Sequence, residues 1–255
     1  MRTSTSKGSA LFGPLLSLLP LRHLPPFLLL ASIALLCLAG TAFGEGCVMV
    51  VALDDAITPA SDDIVREAIV EAEGRGCEAL VITLDTPGGG LAETKEITGQ
   101  IERTGLPVIG YVYPSGATAW SAGTIILLSS DIAAMVPGTI IGSAQPVSIG
   151  PTGTEPVNDT KVINAVVALA EEKARAHGRN TTAAREFVTS NLNLNAEEAQ
   201  KLGVIEIVSP NLDSLMVEVE GMEAKNRTLA TSGAEIIRFE SSLRLQILAV
   251  LSDPL

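Results

Sequence analysis

From Val48 onward the chain repeats one pattern: a short, continuously apolar run, then a stretch with apolar residues at helical spacing. Val48–Leu53 and Ala79–Leu84 lack the polar alternation of a half-exposed strand, so both must be covered on two faces. Ile64, Val65, Ala68, Ile69 and Ala72 recur at helical spacing over 62–73, and Gly74 and Gly76 end that helix. The same reading predicts a helix over 91–103, a strand over 107–112, an apolar small-residue helix over 118–129 and a short strand over 133–136. Beyond a Gly-, Pro- and Ser-rich loop over 142–159, it predicts helices over 161–177, 182–190 and 196–202 and a strand over 204–208. Repeated βα units specify an α/β fold with a parallel, helix-covered sheet. Aromatic residues are only 3% of a chain that is 47% hydrophobic, so Val, Ile, Leu and Ala must build the core.

The ends differ from this middle. Residues 1–44 hold Arg2, Lys7 and Arg22 and no acid, and the apolar run 27–39 leads to small residues near Gly40 and Gly44. A basic flank, a short apolar core and a small-residue exit read as a secretory signal, with an uncleaved anchor as the alternative. Residues 45–220 form the expected domain. Residues 221–241 are polar and read as a linker, and the apolar tail from Leu243 reads as the start of a further membrane segment in a truncated chain.

The net charge of −12 excludes a phosphate-backbone binder, which needs clustered Lys and Arg. Cys47 and Cys77 have neither CxxC spacing nor a histidine neighbour, which argues against a metal site. They are expected as two buried thiols, a disulfide being the lesser alternative.

Three segments carry chemistry. Thr86-Pro87-Gly88-Gly89-Gly90 follows a buried strand, and its glycines let backbone approach a ligand; it matches no phosphate-binding fingerprint. Gly116-Ala-Thr-Ala-Trp-Ser121-Ala-Gly-Thr124 places Ser121 in the first turn of a helix, among small residues that leave room for a substrate carbonyl. There the helix dipole and the Ala122 N–H would stabilise an oxyanion. Asn158-Asp159-Thr160-Lys161 opens a third helix, with Asp159 or Thr160 as its cap. If Ser121 is a nucleophile, its base is a lysine or His177, the single histidine beyond the leader. His177 reads as a solvent-facing helix cap. Lys95, Lys173 and Lys201 lie among glutamates as solvated faces, and Lys225 falls in the linker. Lys161 sits at a helix start before Val162 and Ile163, a setting that favours the neutral amine a base must be.

Taken together, LDTPGGG, YVYPSGATAWSAGT, AAMVPGTIIGSAQPV, a lysine about forty residues past the serine, HGRN and EEAQKLGVIEIV resemble the NfeD family over residues 48–220. These are membrane-bound serine proteases related to ClpP and signal peptide peptidase A. The resemblance implies a ClpP/crotonase-like fold, Ser121 as nucleophile, Lys161 as base and an oxyanion hole from the Gly89 and Ala122 N–H groups. It further implies a substrate strand held along Gly88, Gly90 and Leu91, and no cofactor. A homo-oligomer acting on apolar segments of a stomatin-like membrane protein is expected on the same ground, and the secretory signal or anchor puts the protease domain, membrane-associated or exported, on the extracytoplasmic side. Trp120 departs from the pattern, standing where a small residue is expected. Two rivals share the fold: a non-catalytic membrane scaffold and a crotonase-type acyl-CoA enzyme.

Overall fold

The computed structural model describes residues 46–150 and 153–252; the expected leader and the last tail residues lie outside them. The first half runs β1 (Cys47–Leu53), α1 (Pro59–Arg75), β2 (Ala79–Leu84), α2 (Leu91–Arg103), β3 (Val108–Val112), β4 (Thr118–Trp120), α3 (Ala122–Ser129) and β5 (Ile132–Met135). Then come β6 (Ile140–Gly142), β7 (Val147–Gly150), β8 (Gly153–Pro156), α4 (Thr160–Ala176), α5 (Thr181–Thr189), β9 (Asn193–Asn195) and α6 (Ala196–Lys201). The last elements are β10 (Ile207–Val208), α7 (Leu212–Glu218), β11 (Glu223–Ala224), β12 (Arg227–Thr228), β13 (Glu235–Arg238) and α8 (Leu243–Ser252).

Six strands form one parallel sheet in the order β10-β5-β3-β2-β1-β13. The continuous apolar runs divide by the two-residue strand period. Met49, Val51, Leu80, Ile82, Leu84, Val108 and Met135 face a core shared with α1 to α5. Val48, Val50, Ala79, Val81, Ile109, Tyr111 and Ala134 face a second core, closed by Leu215 and Met216 of α7 and by Leu229. Both faces are covered, as parallel pairing requires.

Four expectations are corrected. Residues 118–129 are not one helix: the first three form β4, which pairs in parallel with β6 while β9 joins β6 antiparallel. The segment 142–159 is not all loop, because β7 and β8 form a hairpin within it. Residues 221–241 are not a linker. There β11 and β12 form a hairpin, and β13 pairs with β1 as an edge strand whose two half-buried isoleucines, between charged exposed ends, make too short a run to stand out in a polar stretch. The Glu220 carboxylate fastens this part, accepting the Thr231 and Ser232 N–H groups (both 2.6 Å). Finally, Cys47 and Cys77 are joined as a disulfide, because the start of β1 and the turn before β2 meet side by side.

Arg179, in the segment between α4 and α5, is buried against the C-terminal end of α3. It donates to the Leu127 and Leu128 carbonyls (3.2 and 2.9 Å) and forms a two-pronged pair with Glu206 (both 2.8 Å). Glu206 in turn accepts the Ala133 N–H of β5. A planar guanidinium satisfies several helix-end carbonyls at once, which an ammonium cannot do.

Candidate active site

Ser121 sits where β4 becomes α3, as the residue capping that helix rather than inside its first turn, with φ 50° and ψ −107°. A non-glycine residue at positive φ costs about 1–3 kcal/mol and persists only where its surroundings impose it. Here its N–H is held by the Gly142 carbonyl (3.1 Å) and its carbonyl accepts the Ile125 N–H (3.3 Å). Thr124, fully buried one turn on, locks the junction: its hydroxyl lies 2.8 Å from both the Ala119 and Gly142 carbonyls and accepts the Gly142 N–H (3.2 Å). Thr124 was legible only as part of a small-residue helix, since the latch needs β4 and β6 in place.

The glycine loop after β2 is clasped from both sides. Thr86 pairs with β4 through Thr86 N–H to Thr118 O (2.7 Å) and Trp120 N–H to Thr86 O (3.1 Å). Gly89 bridges Ile57 through Ile57 N–H to Gly88 O (2.8 Å) and Gly90 N–H to Ile57 O (3.0 Å). The Asp85 carboxylate accepts the Thr118 N–H (3.0 Å), a further tie that sequence reading missed. This brings Gly88 against Ser121. Among the described residues, neither the Gly89 N–H nor the Ala122 N–H is taken up by a hydrogen bond of the fold. Gly89 follows the glycine packed on Ser121 and Ala122 follows Ser121 itself; an oxyanion hole needs free backbone donors of this kind aimed at the reacting oxygen. Leu91, at the start of α2, is exposed.

Lys161 lies in the first turn of α4, and Asp159 caps that helix by accepting the Lys161 backbone N–H (2.8 Å). Its side chain is exposed, so the apolar niche expected for it is not formed in the single chain: Val166 and Val167 turn into the core and leave the helix start uncovered. No hydrogen bond joins Lys161 to Ser121 among the described residues. Two other lysines are engaged rather than solvated. Lys173 is buried and paired with Glu102 and Glu172, and Lys225 donates to the Ile101 and Thr104 carbonyls and pairs with Asp131. His177 does end α4, but it is half-buried and hydrogen-bonded to the Ser129 backbone. Ser129 is the last residue of α3 and Ser121 caps its start, roughly 12 Å away at 1.5 Å per residue. His177 is thus at the far end of α3 from the nucleophile.

A serine held at positive φ against a glycine-rich loop, in a helix-covered parallel sheet, invites comparison with known proteins. Residues 47–228 match the family described as NfeD1b, N-terminal domain. The chain belongs to this family. The membrane-bound protease PH1510 of Pyrococcus horikoshii is 36% identical over an alignment of 234 residues that covers 89% of this chain and 53% of that protein. The chain therefore spans about half the length of that relative. Two solved structures of the 1510-N membrane-bound stomatin-specific protease superpose on it. A lysine-to-alanine variant in complex with a substrate peptide does so with a TM-score of 0.77 at 35% identity, covering 82% of this chain and 99% of that one. A serine-to-alanine variant gives 0.73 at 36% identity, covering 78% and 99%. ClpP1 from Listeria monocytogenes shares the fold at 18% identity, with a TM-score of 0.53 over 65% of this chain and 94% of that one. No helix of the described residues in this NfeD1b-family chain is long and apolar enough to cross a membrane, and none of their His, Cys, Asp and Glu side chains group as metal ligands.

Proposed function

We propose that this chain is a serine endopeptidase that cuts apolar segments of membrane-associated proteins through an acyl-enzyme on Ser121. The observation that carries the reading is the Ser121 junction itself: a strained hydroxyl-bearing residue with Gly88 pressed against it, each of the two followed by a residue (Ala122, Gly89) whose N–H the fold leaves free. In the proposed reaction Lys161, as the neutral amine, takes the Ser121 proton while Oγ attacks the peptide carbonyl carbon. The Gly89 and Ala122 N–H groups receive the oxyanion. Collapse of the tetrahedral intermediate breaks the C–N bond as Lys161 returns the proton to the leaving amine, and water then releases the acyl group by the same route. Gly88, Gly90 and Leu91 line the path of an extended substrate strand.

Support for the lysine comes from the related protease, in which a serine and a lysine about forty residues apart were each replaced, one of those variants holding a substrate peptide. Ser121 and Lys161 have about the same separation. Lys161 is exposed in the single chain, and the proposed dyad forms when bound peptide or a second subunit brings its amine to Ser121. Hydrogen bonds of this kind often tighten only in the substrate complex. A stomatin-like membrane protein is the proposed substrate and a homo-oligomer the proposed working form. The Cys47–Cys77 bridge supports an oxidising, extracytoplasmic location.

Labelling with a serine-reactive phosphonate tests the proposal. Label should appear at Ser121, vanish in Ser121→Ala and fall steeply in Lys161→Ala. A folded protein that takes no label at Ser121 would instead be a scaffold, while tight CoA binding with activity surviving Ser121→Ala would mark an acyl-CoA enzyme.

A further inference from the structure

The small sheet that delivers Ser121 has one buried and one open face. By the two-residue period, Ala119, Ile141 and Leu194 turn inward and are buried, whereas Thr118, Trp120, Ile140, Asn193 and Asn195 share the outer side. Two large apolar side chains therefore stand in solvent on this face, Trp120 and Ile140, each 38% exposed. They are diagonal neighbours across β4 and β6, within reach of each other for a side chain as long as tryptophan. A third, Leu91, is 44% exposed at the start of α2, three residues past the Gly88 packed against Ser121.

One exposed leucine or tryptophan needs no explanation. Here Trp120 stands immediately ahead of Ser121 with Ile140 diagonal to it on the next strand, and polar neighbours (Thr118, Asn193, Asn195) share their face, the composition typical of a ligand-binding surface. Among the described residues, Trp120 stacks on no other ring; the one aromatic pair there is Tyr111 with Tyr113, inside the fold. Its backbone is fixed on both sides, by Thr86 and by Gly142, so the indole is carried on a rigid strand directly ahead of the nucleophile.

We infer that Trp120, with Ile140 beside it, is a specificity-determining subsite that seats a large apolar side chain, of the Leu or Phe class, next to the bond attacked by Ser121. This rests on the reading of Ser121 as nucleophile. A flat indole offers wide contact at low conformational-entropy cost, and a Ser or Asp side chain placed there would lose water without gaining a partner.

Trp120 is the single tryptophan of the chain, so its emission reports this place alone. The experiment uses the Ser121→Ala protein and blocked ten-residue peptides differing at one position (Leu, Phe, Ala, Ser or Asp), with binding followed independently by calorimetry. Saturable blue-shifted emission is expected with the Leu and Phe peptides and not with the Asp peptide. In the active chain, Trp120→Ala should cut the kcat/KM preference for Leu over Ala by roughly tenfold, and Trp120→Phe should restore most of it. Calorimetric binding without any change in emission, or an unaltered preference in a folded Trp120→Ala protein, would overturn the inference. If Trp120→Ala does not fold, the emission measurement decides alone. Failure of phosphonate labelling at Ser121 would strike the proposed reaction, whereas the emission response needs no turnover and scores the subsite separately.

Discussion

Gly88 and Ser121 are packed so closely that no side chain fits between them. A Cβ built on Gly88 would lie 2.7 Å from Ser121 Cβ and 3.2 Å from its Oγ, and Gly88 itself has φ 118°. Gly88→Ala therefore meets two obstacles, a collision with the reactive residue and a backbone conformation that costs an L-residue about 1–3 kcal/mol. Relief must come from moving the Ser121 junction or the glycine loop. A displacement of about 1 Å costs on the order of 100-fold in rate, so kcat/KM should fall at least that far while circular dichroism still reports a folded chain. A Gly88→Ala protein with unchanged turnover would mean that this contact does not set the nucleophile's position.

The opposite end of α3 is held by charge. Arg179→Met removes the cation from a pocket that keeps the Glu206 carboxylate and two helix-end carbonyls, so its cost is that of stranding the partners. Breaking a buried pair in this way costs about 3–5 kcal/mol, measurable by urea unfolding. Arg179→Lys should recover only part, because an ammonium cannot reproduce the two-pronged contact with Glu206 while also reaching both carbonyls. A loss below about 1 kcal/mol in Arg179→Met would show that water enters and replaces the guanidinium.

The disulfide bears on stability and not on the chemistry. Cys47 opens β1 and Cys77 precedes β2, so the bridge lies at the amino ends of parallel strands whose carboxyl ends carry the glycine loop. One six-residue strand separates these ends by about 20 Å. Closing a loop of sequence separation 30 constrains the unfolded chain by about 3–4 kcal/mol. Cys47→Ser with Cys77→Ser should lose stability of that order in urea while phosphonate labelling of Ser121 proceeds at the parent rate. A parallel loss of labelling would show that the two ends of the sheet are coupled.

What was legible in the sequence follows from how local the causes are. β2 and α2 were read to their end residues because an unbroken apolar run and a helical stripe are properties of the segment alone. Ser121 and the glycine loop were found by composition, but the strand before the serine was not, since Thr118–Trp120 becomes β4 only by pairing with Thr86 and β6. β13 was missed because an edge strand need bury little. The engagement of Lys173, Lys225 and Arg179 depends on carboxylates and carbonyls up to 124 residues away in sequence, beyond any local pattern. Lys161 was singled out by its apolar helical neighbours, yet those neighbours point into the core and leave the amine outside, because a helix start projects beyond the stripe that buries its middle.

His177 gives the fold a pH dependence with a definite sign. Burial first, and then the Arg179 guanidinium, hold its imidazole below the ordinary value of 6.5; Asp131, Glu206 and the bond to the Ser129 backbone oppose this only in part. As pH falls, the unfolded chain therefore takes up a proton on this residue before the folded chain does, and protonation favours unfolding. Its contribution to stability is complete above the unfolded value and drains away as pH drops through 6.5 and on past the lower folded value. Carboxylates act in a separate window: Glu220, held below its ordinary value by the Ser232 N–H first and the Thr231 N–H second, loses its contribution only at more acidic pH. Urea midpoints measured from pH 7.5 down to about 5.5, which straddles the unfolded imidazole value, should decline in the parent chain and stay flatter in His177→Gln. Equal slopes in the two proteins would show that the imidazole takes its proton without leaving its place beside Ser129. Because His177 sits at the far end of α3, labelling of Ser121 in His177→Gln should keep the parent's dependence on pH even while stability loses it.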